Sequence, residues 1–186
     1  MLPLLRLSRC LFLTLAGIIL IASTTGSIVA AEPAAGKLPI RIKTGVTAPL
    51  TDETGTVWLA DQGFADGETI DRSGTKIANT KIPSVYGAER YGMSKFSYSV
   101  PNGKYVVKLH FAETFEEITA PGQRVFSFNV EGKEFKDFDV FAKAGGAFKA
   151  YVETVEVEVK DGKLDITFTS KTENPEINGI EIIAAP

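Results

Sequence analysis

The sequence is short of the residues from which metal centres, disulfide frameworks and nucleophilic sites are made. Cysteine occurs once, as Cys10, in a chain of 186 residues. One thiol closes no loop, so the fold has to be held by packing and hydrogen bonds alone. Histidine also occurs once, as His110, which excludes a site built on two imidazoles. Its neighbour Glu113 lacks the helical context in which such motifs hold zinc. Nucleophile elbows, phosphate-binding loops and dinucleotide fingerprints are missing. Basic charge is outnumbered, with 20 Lys and Arg against 23 Asp and Glu. Nucleic-acid phosphates need a basic face, so nucleic acid is excluded as a partner. Helical 3.6-residue periodicity, internal repeats and low-complexity tracts are absent too.

What is present begins with a targeting pattern. MLPLLRLSRC supplies Arg6 and Arg9, and CLFLTLAGIILIA follows as an apolar run shorter than the roughly 20 residues a membrane-spanning helix needs. Small residues come next, and Val29-Ala30-Ala31 offers a cleavage site before Glu32. This pattern predicts a secretory signal peptide over 1–31, with an uncleaved anchor as the alternative. A Pro/Ala/Gly linker over 32–39 and a single domain over 40–186 complete the expected organisation. The expected location is secreted or periplasmic, in a chain of bacterial appearance, with no membrane insertion after cleavage. Loss of Arg6 and Arg9 enlarges the acidic excess, so the partner is expected to be neutral or polar.

Within the domain, apolar residues recur with period two, the signature of half-buried strands. Tyr105, Val107, Leu109 and Phe111 point one way, and Val106, Lys108 and His110 the other. That alternation predicts a solvent-facing His110. Phe126, Phe128 and Val130 form a second row, and Val155, Val157 and Val159 a third. Glu131-Gly132 reads as a turn toward Phe135. Asp161-Gly162 reads as a hairpin turn, with Leu164, Ile166 and Phe168 answering on the return strand. Apolar rows of this kind must cover one another. The expected fold is therefore all-β, an antiparallel β-sandwich of jelly-roll connectivity. The stretch from Thr51 to Met93 reads as long loops with short strands, where binding groups gather.

Two kinds of residue are candidates for chemistry. Glu113, Glu116, Glu117, Glu173 and Asp139 could supply a pair of carboxylates for glycoside hydrolysis. Aromatic rings in or beside turns are the stronger signal: Trp58, Phe64, Tyr86, Tyr91 and Phe115, with Arg90 between the two tyrosines. Exposed rings stack on sugar faces while nearby polar groups take the hydroxyls. Trp58 is expected in the core. Asp137 and Asp139 lack the ligand spacing of a recognised calcium loop, so no metal is expected.

A resemblance emerges from seven blocks in order: VWLADQGFADG, VYGAERYG, YVVKLHFAETF, GQRVFSFNVEGK, DFDVFAKAGGA, DGKLDITF and NPEINGIEI. Together they resemble the malectin domain, from about Ile40 to Ile183. The resemblance implies a galactose-binding-like jelly roll and non-enzymatic carbohydrate binding, as in the family's lectin of the endoplasmic reticulum, which holds α-linked glucose disaccharides. By motif, Tyr91 matches an aromatic that stacks on sugar. Phe115 matches the first of two adjacent aromatics, and Glu116 stands where the family has the second. Glu173 matches an acidic residue before Asn-Pro, and Phe64 aligns with another binding tyrosine. Glu113 and Arg124 belong to scaffold motifs, which implies a structural role.

The reading that follows is a non-catalytic carbohydrate-binding domain without cofactor or metal. Its expected partner is an oligosaccharide or polysaccharide, glucose-containing or otherwise. Its expected ligand-binding residues are Tyr91, Phe115, Glu116, Glu173, Phe64, Tyr86 and Arg90. A protein-interaction or adhesion domain of the same fold is the alternative, and a glycoside hydrolase using loop carboxylates ranks behind both.

Overall fold

The computed structural model describes residues 37–186, so the expected signal peptide and most of the linker lie outside the described residues. The chain begins with β1 (Ile40–Lys43), β2 (Leu50–Thr51), β3 (Val57–Trp58), β4 (Glu68–Asp71), β5 (Ala88–Tyr91) and β6 (Lys95–Ser99). It continues with β7 (Gly103–Phe111), β8 (Val125–Val130), β9 (Lys133–Phe138), β10 (Tyr151–Val159), β11 (Lys163–Thr172), β12 (Glu176–Ile177) and β13 (Gly179–Ala184). One short helix, α1 (Val140–Ala144), starts on an Asp139 side chain that accepts from the Ala142 N–H, the usual relief for an unpaired helical donor.

Two antiparallel four-stranded sheets, ordered β1-β13-β7-β10 and β6-β11-β8-β9, form the sandwich. Their inner faces are the apolar rows of the sequence. Val107, Leu109 and Phe111 of one sheet meet Phe126, Phe128, Leu164 and Ile166 of the other in one buried cluster. Phe128 packs edge-on against Phe138 at 5.0 Å and stacked on Phe135 at 4.5 Å, geometries that suit the ring quadrupoles. The expected antiparallel sandwich is what forms.

Two local expectations are corrected. Asp161-Gly162 is not a hairpin turn, because β10 pairs with β7 in one sheet while β11 pairs with β6 and β8 in the other. The turn carries the chain across the sandwich, and the two apolar rows face one another instead of lying side by side. The true two-residue hairpin is Glu131-Gly132, where φ is 50° and 86° and Val130 pairs with Lys133. Positive φ at both positions gives the twist that joins adjacent strands.

His110 is the second correction. It does lie on the outer face of β7, but that face is covered there. A smaller cluster of Trp58, Ile77, Val85, Tyr86 and Ala112 packs over it, leaving His110 only 4% exposed. Its Nε2 lies 3.0 Å from the Glu181 carboxylate and its Nδ1 2.9 Å from the Tyr86 hydroxyl. A proton on Nε2 satisfies both contacts, since Nδ1 then accepts from tyrosine. His110 is thus a pinned core histidine.

Lys43, at the end of β1, is likewise buried, and its ammonium donates to the carbonyls of Thr44 at 2.6 Å and Ala88 at 2.7 Å. Burial pulls it down from 10.5 to about 7, against the opposing pull of Asp61, Glu89 and Asp71. The unfolded chain therefore holds this proton across the window from about 7 to 10.5 while the folded chain releases it. Stability must rise with pH through that window, by up to about 1 kcal/mol per pH unit from this group. Lys43→Met should flatten the rise, measured by urea denaturation at the two ends of the window. An unchanged slope would show that Lys43 stays charged in the fold.

Candidate functional site

A third, smaller sheet of order β12-β5-β4 sits at one end of the sandwich. Its register decides which side chains share a face. Tyr91 pairs with Glu68 on one side and Glu176 on the other, and Glu89 pairs with Ile70. Directly paired residues point the same way, and neighbours along a strand point oppositely. Ile70, Glu89, Tyr91 and Glu176 therefore lie on one face, with Arg90 on the other. Gly67 fits close against this sheet: a Cβ there would come within 2.7 Å of the Tyr91 carbonyl oxygen, at a φ of 88°.

A pocket of about 190 Å³ opens on that face. Ile70, Tyr91 and Phe115 supply its apolar walls, and Arg72, Glu89, Arg124 and Glu173 its charged ones. Phe115 and Arg124 arrive from the segment after β7 and the residue before β8. Glu173 follows β11 with φ of 61°, a left-handed conformation that costs a non-glycine residue about 1 kcal/mol.

Beneath the walls lies a network of buried charge. Arg124 donates to Glu113 through Nε at 2.7 Å and to the Asn174 carbonyl through Nη1 at 2.6 Å. Glu113 also accepts from the Phe115 N–H at 3.0 Å, which fixes the loop bearing that ring. Glu89 accepts from Arg72 at 3.3 Å and from the Thr114 hydroxyl. Glu176 is fully buried, and neither of its oxygens has a partner. Burial pushes its carboxyl well above the usual range, reinforced by Glu89 and Glu113 and only partly offset by Arg124 and Arg72. For Arg124, burial opposes the charged form, yet the carboxylates of Glu176, Glu113 and Glu89 outweigh it and hold the guanidinium charged.

The pocket gathers Tyr91, Phe115 and Glu173 and leaves the other nominated residues out. Glu116 is exposed on the loop beyond Phe115 and is not part of the lining. Tyr86 is corrected to a core residue, 1% exposed, its hydroxyl taken by His110. Arg90 is corrected to a structural one. Its guanidinium bonds Asp61 at 3.0 Å and the carbonyls of Asp66 and Gly67 at 2.9 and 2.8 Å, under the Phe64 ring at 5.0 Å. Phe64 itself packs on Phe96, away from the pocket. The structural role implied for Glu113 and Arg124 takes the form of their ion pair. Sequence reasoning missed Ile70, Arg72, Glu89 and Glu176, although Glu89 and Tyr91 stand at i and i+2, the spacing of one strand face.

A larger cleft of about 700 Å³ is lined by Lys43, Asp71 and Ala88, on the opposite face of the small sheet, and holds no nominated residue. Among the described residues, no group of three or more His, Cys, Asp and Glu side chains is placed to hold a metal ion.

The model of the malectin domain family matches residues 39–180. The chain belongs to the malectin domain family. Membership supports the non-catalytic expectation. Among relatives in sequence, a probable receptor-like protein kinase of Arabidopsis thaliana is 35% identical over 108 residues, 48% of this chain and 13% of that protein. The chain spans only 5 to 13% of the length of the curated relatives it matches. Among solved structures, a β-glucuronidase of Bacteroides uniformis has a TM-score of 0.72 at 20% identity, over 80% of this chain and 18% of that one. The plant peptide RALF23 in complex with FER and LLG2 gives a TM-score of 0.66 at 20% identity, over 77% of this chain and 47% of that one. These likenesses are of fold, an antiparallel jelly-roll sandwich.

Two expectations are corrected by these relatives. The sequence relatives are plant proteins, most of them receptor-like kinases or receptor-like proteins, which overturns the bacterial and lectin assignments. The solved plant receptor of the same fold is in complex with a peptide and a second protein, a finding that runs against the expected oligosaccharide or polysaccharide partner.

Proposed function

We propose that this malectin domain is a non-catalytic recognition module that binds a peptide or an extended protein segment at the pocket end of its sandwich. The observation that carries this reading is the pocket itself. Tyr91, Phe115 and Ile70 are held open against a fixed set of charges, the mixture of aromatic anchor and oriented polar groups that interface hot spots use. Its backbone is rigid where it matters, because Phe115 is tied through Glu113 to Arg124. The plant receptor complex supports the same direction by its fold and its named partners. The setting in this reading is extracytoplasmic, which rests on the Arg-flanked apolar run within residues 1–31.

Selection of random short peptides on the full chain tests the reading. Binders should be recovered. Tyr91→Ala and Phe115→Ala should each weaken them about thirtyfold or more, the loss of a hot-spot aromatic, with unchanged thermal stability. Lys133→Ala, at the start of β9 across the hairpin from Val130, should have no effect. Failure to recover any binder, or equal loss with Lys133→Ala, would sink the proposal.

A further inference from the structure

The fixed charges around the pocket do not balance. Arg72 is matched by Glu89 at 3.3 Å and Arg124 by Glu113 at 2.7 Å. Glu176 is the carboxyl left over, fully buried with both oxygens unpartnered. The strand register puts it beside Tyr91 on the pocket face, beneath the residues that line the pocket and not among them. Glu173 adds a further acid at the exposed rim. Arg72 Nε is also buried without a partner, so the unmatched groups are one carboxyl and one guanidinium N–H. Buried polar atoms in native proteins are nearly always satisfied, and an unmatched set of this kind marks what the ligand must bring. With Glu89 and Glu113 beside Glu176 and Glu173 at the rim, this surrounding favours a ligand that brings positive charge.

From this geometry we propose that the pocket receives the guanidinium or ammonium of an arginine or lysine side chain carried by the peptide partner. The inference rests on the recognition reading above and names the chemistry of its anchor residue. Tyr91 and Phe115 supply aromatic rings to the wall, a residue type that attracts cations, and Ile70 offers an apolar surface for the aliphatic stem that both side chains possess. An incoming carboxylate would meet Glu173 at the rim and Glu89 in the wall, and would find Arg124 already committed to Glu113 and the Asn174 carbonyl. Arginine fits better than lysine, because its planar fork stacks on rings while donating in several directions.

The same arrangement links binding to a proton. Glu176 is faced by Arg72 after β4 and Glu89 in β5, by Glu113 after β7 and by Arg124 before β8. In the empty pocket burial favours its protonated form. A cation in the pocket favours the carboxylate, so binding should release a proton and strengthen as pH rises above the usual carboxylate range.

The test uses peptides selected from the random library on the full chain. They should share an arginine or lysine at one position, and replacing that residue with citrulline, an uncharged isostere of arginine, should weaken binding at least about tenfold. Glu173→Gln should weaken it more modestly, and Glu176→Gln should abolish its pH dependence while the domain stays folded. Binders with no shared basic residue, or citrulline peptides of equal affinity, would overturn the cation pocket and leave peptide recognition standing. Binding that keeps its pH dependence in Glu176→Gln would overturn the proton linkage. Recovery of no binder would take down both readings together.

Discussion

Arg124→Ala is expected to destabilise the domain by about 3–5 kcal/mol, the cost of leaving a buried charge without its partner. Arg124 and Glu113 are 4% and 0% exposed, so water cannot replace the missing guanidinium. Three carboxyls, Glu89, Glu113 and Glu176, surround this one arginine, and its removal takes away the charge that offsets the burial of Glu113. The carbonyl of Asn174 loses its donor as well. Glu113→Gln should cost less, since a neutral amide still accepts from the Phe115 N–H and Arg124 keeps the fields of Glu176 and Glu89. Replacing both members by apolar residues of similar volume should recover much of the loss, because an absent pair leaves no stranded charge. Urea denaturation of the three variants measures the differences. A loss below about 1 kcal/mol for Arg124→Ala, the range of exposed ion pairs, would mean that the cluster is hydrated and not part of a dry core.

Trp58→Ala should cost a similar amount, about 3–5 kcal/mol, from lost burial and the cavity left behind. Trp58 is 1% exposed and is the largest side chain of the smaller core cluster. Its ring meets His110 edge-on at 5.2 Å, and the space it fills touches Gly179 so closely that a Cβ there would come within 3.1 Å of it. The indole N–H donates to Asp52 at 2.9 Å. Trp58→Phe separates the contributions. It keeps most of the apolar contact but removes one donor from a carboxylate that still accepts from Thr54 and Thr56, so about 1 kcal/mol is expected. Thermal and chemical denaturation should rank the parent above Trp58→Phe and Trp58→Phe above Trp58→Ala. The two substitutions costing the same would show that the hydrogen bond, and not the packing, is what Trp58 contributes.

Much of this architecture is legible in the sequence. Strands announce themselves through period two, because a pleated chain alternates its faces whatever its surroundings. The rows around Val107, Phe128 and Ile166 were therefore readable as inner faces. Pairing was less legible. Asp161-Gly162 has the composition of a hairpin turn, yet it joins strands of different sheets, because turn chemistry fixes only the local reversal. Partner choice is set by the sheet that each apolar row must cover. His110 and Tyr86 went astray for a related reason. Alternation says which side of a strand a residue occupies, and on that side a separate cluster from the Thr51–Met93 region happened to lie.

The candidate site divides in the same way. Tyr91, Phe115 and Glu173 were nominated from blocks far apart in sequence and meet in one pocket. Arg90 was nominated with them on proximity in sequence alone, although its neighbour position on β5 turns it to the opposite face. Strict use of period two would have exchanged Arg90 for Glu89.

By itself, then, the sequence determined the all-β class, the family and the absence of a disulfide framework. Each follows from residue types and spacings that hold in any packing arrangement. Tertiary structure alone decided that Glu89, Glu113 and Glu176 share a buried space with Arg72 and Arg124, and that Glu176 is the one left unmatched. Charge pairing at a few ångströms depends on how the small β12-β5-β4 sheet and the segments after β4, after β7 and before β8 are brought together, and residues distant along the chain give no local signal of meeting there.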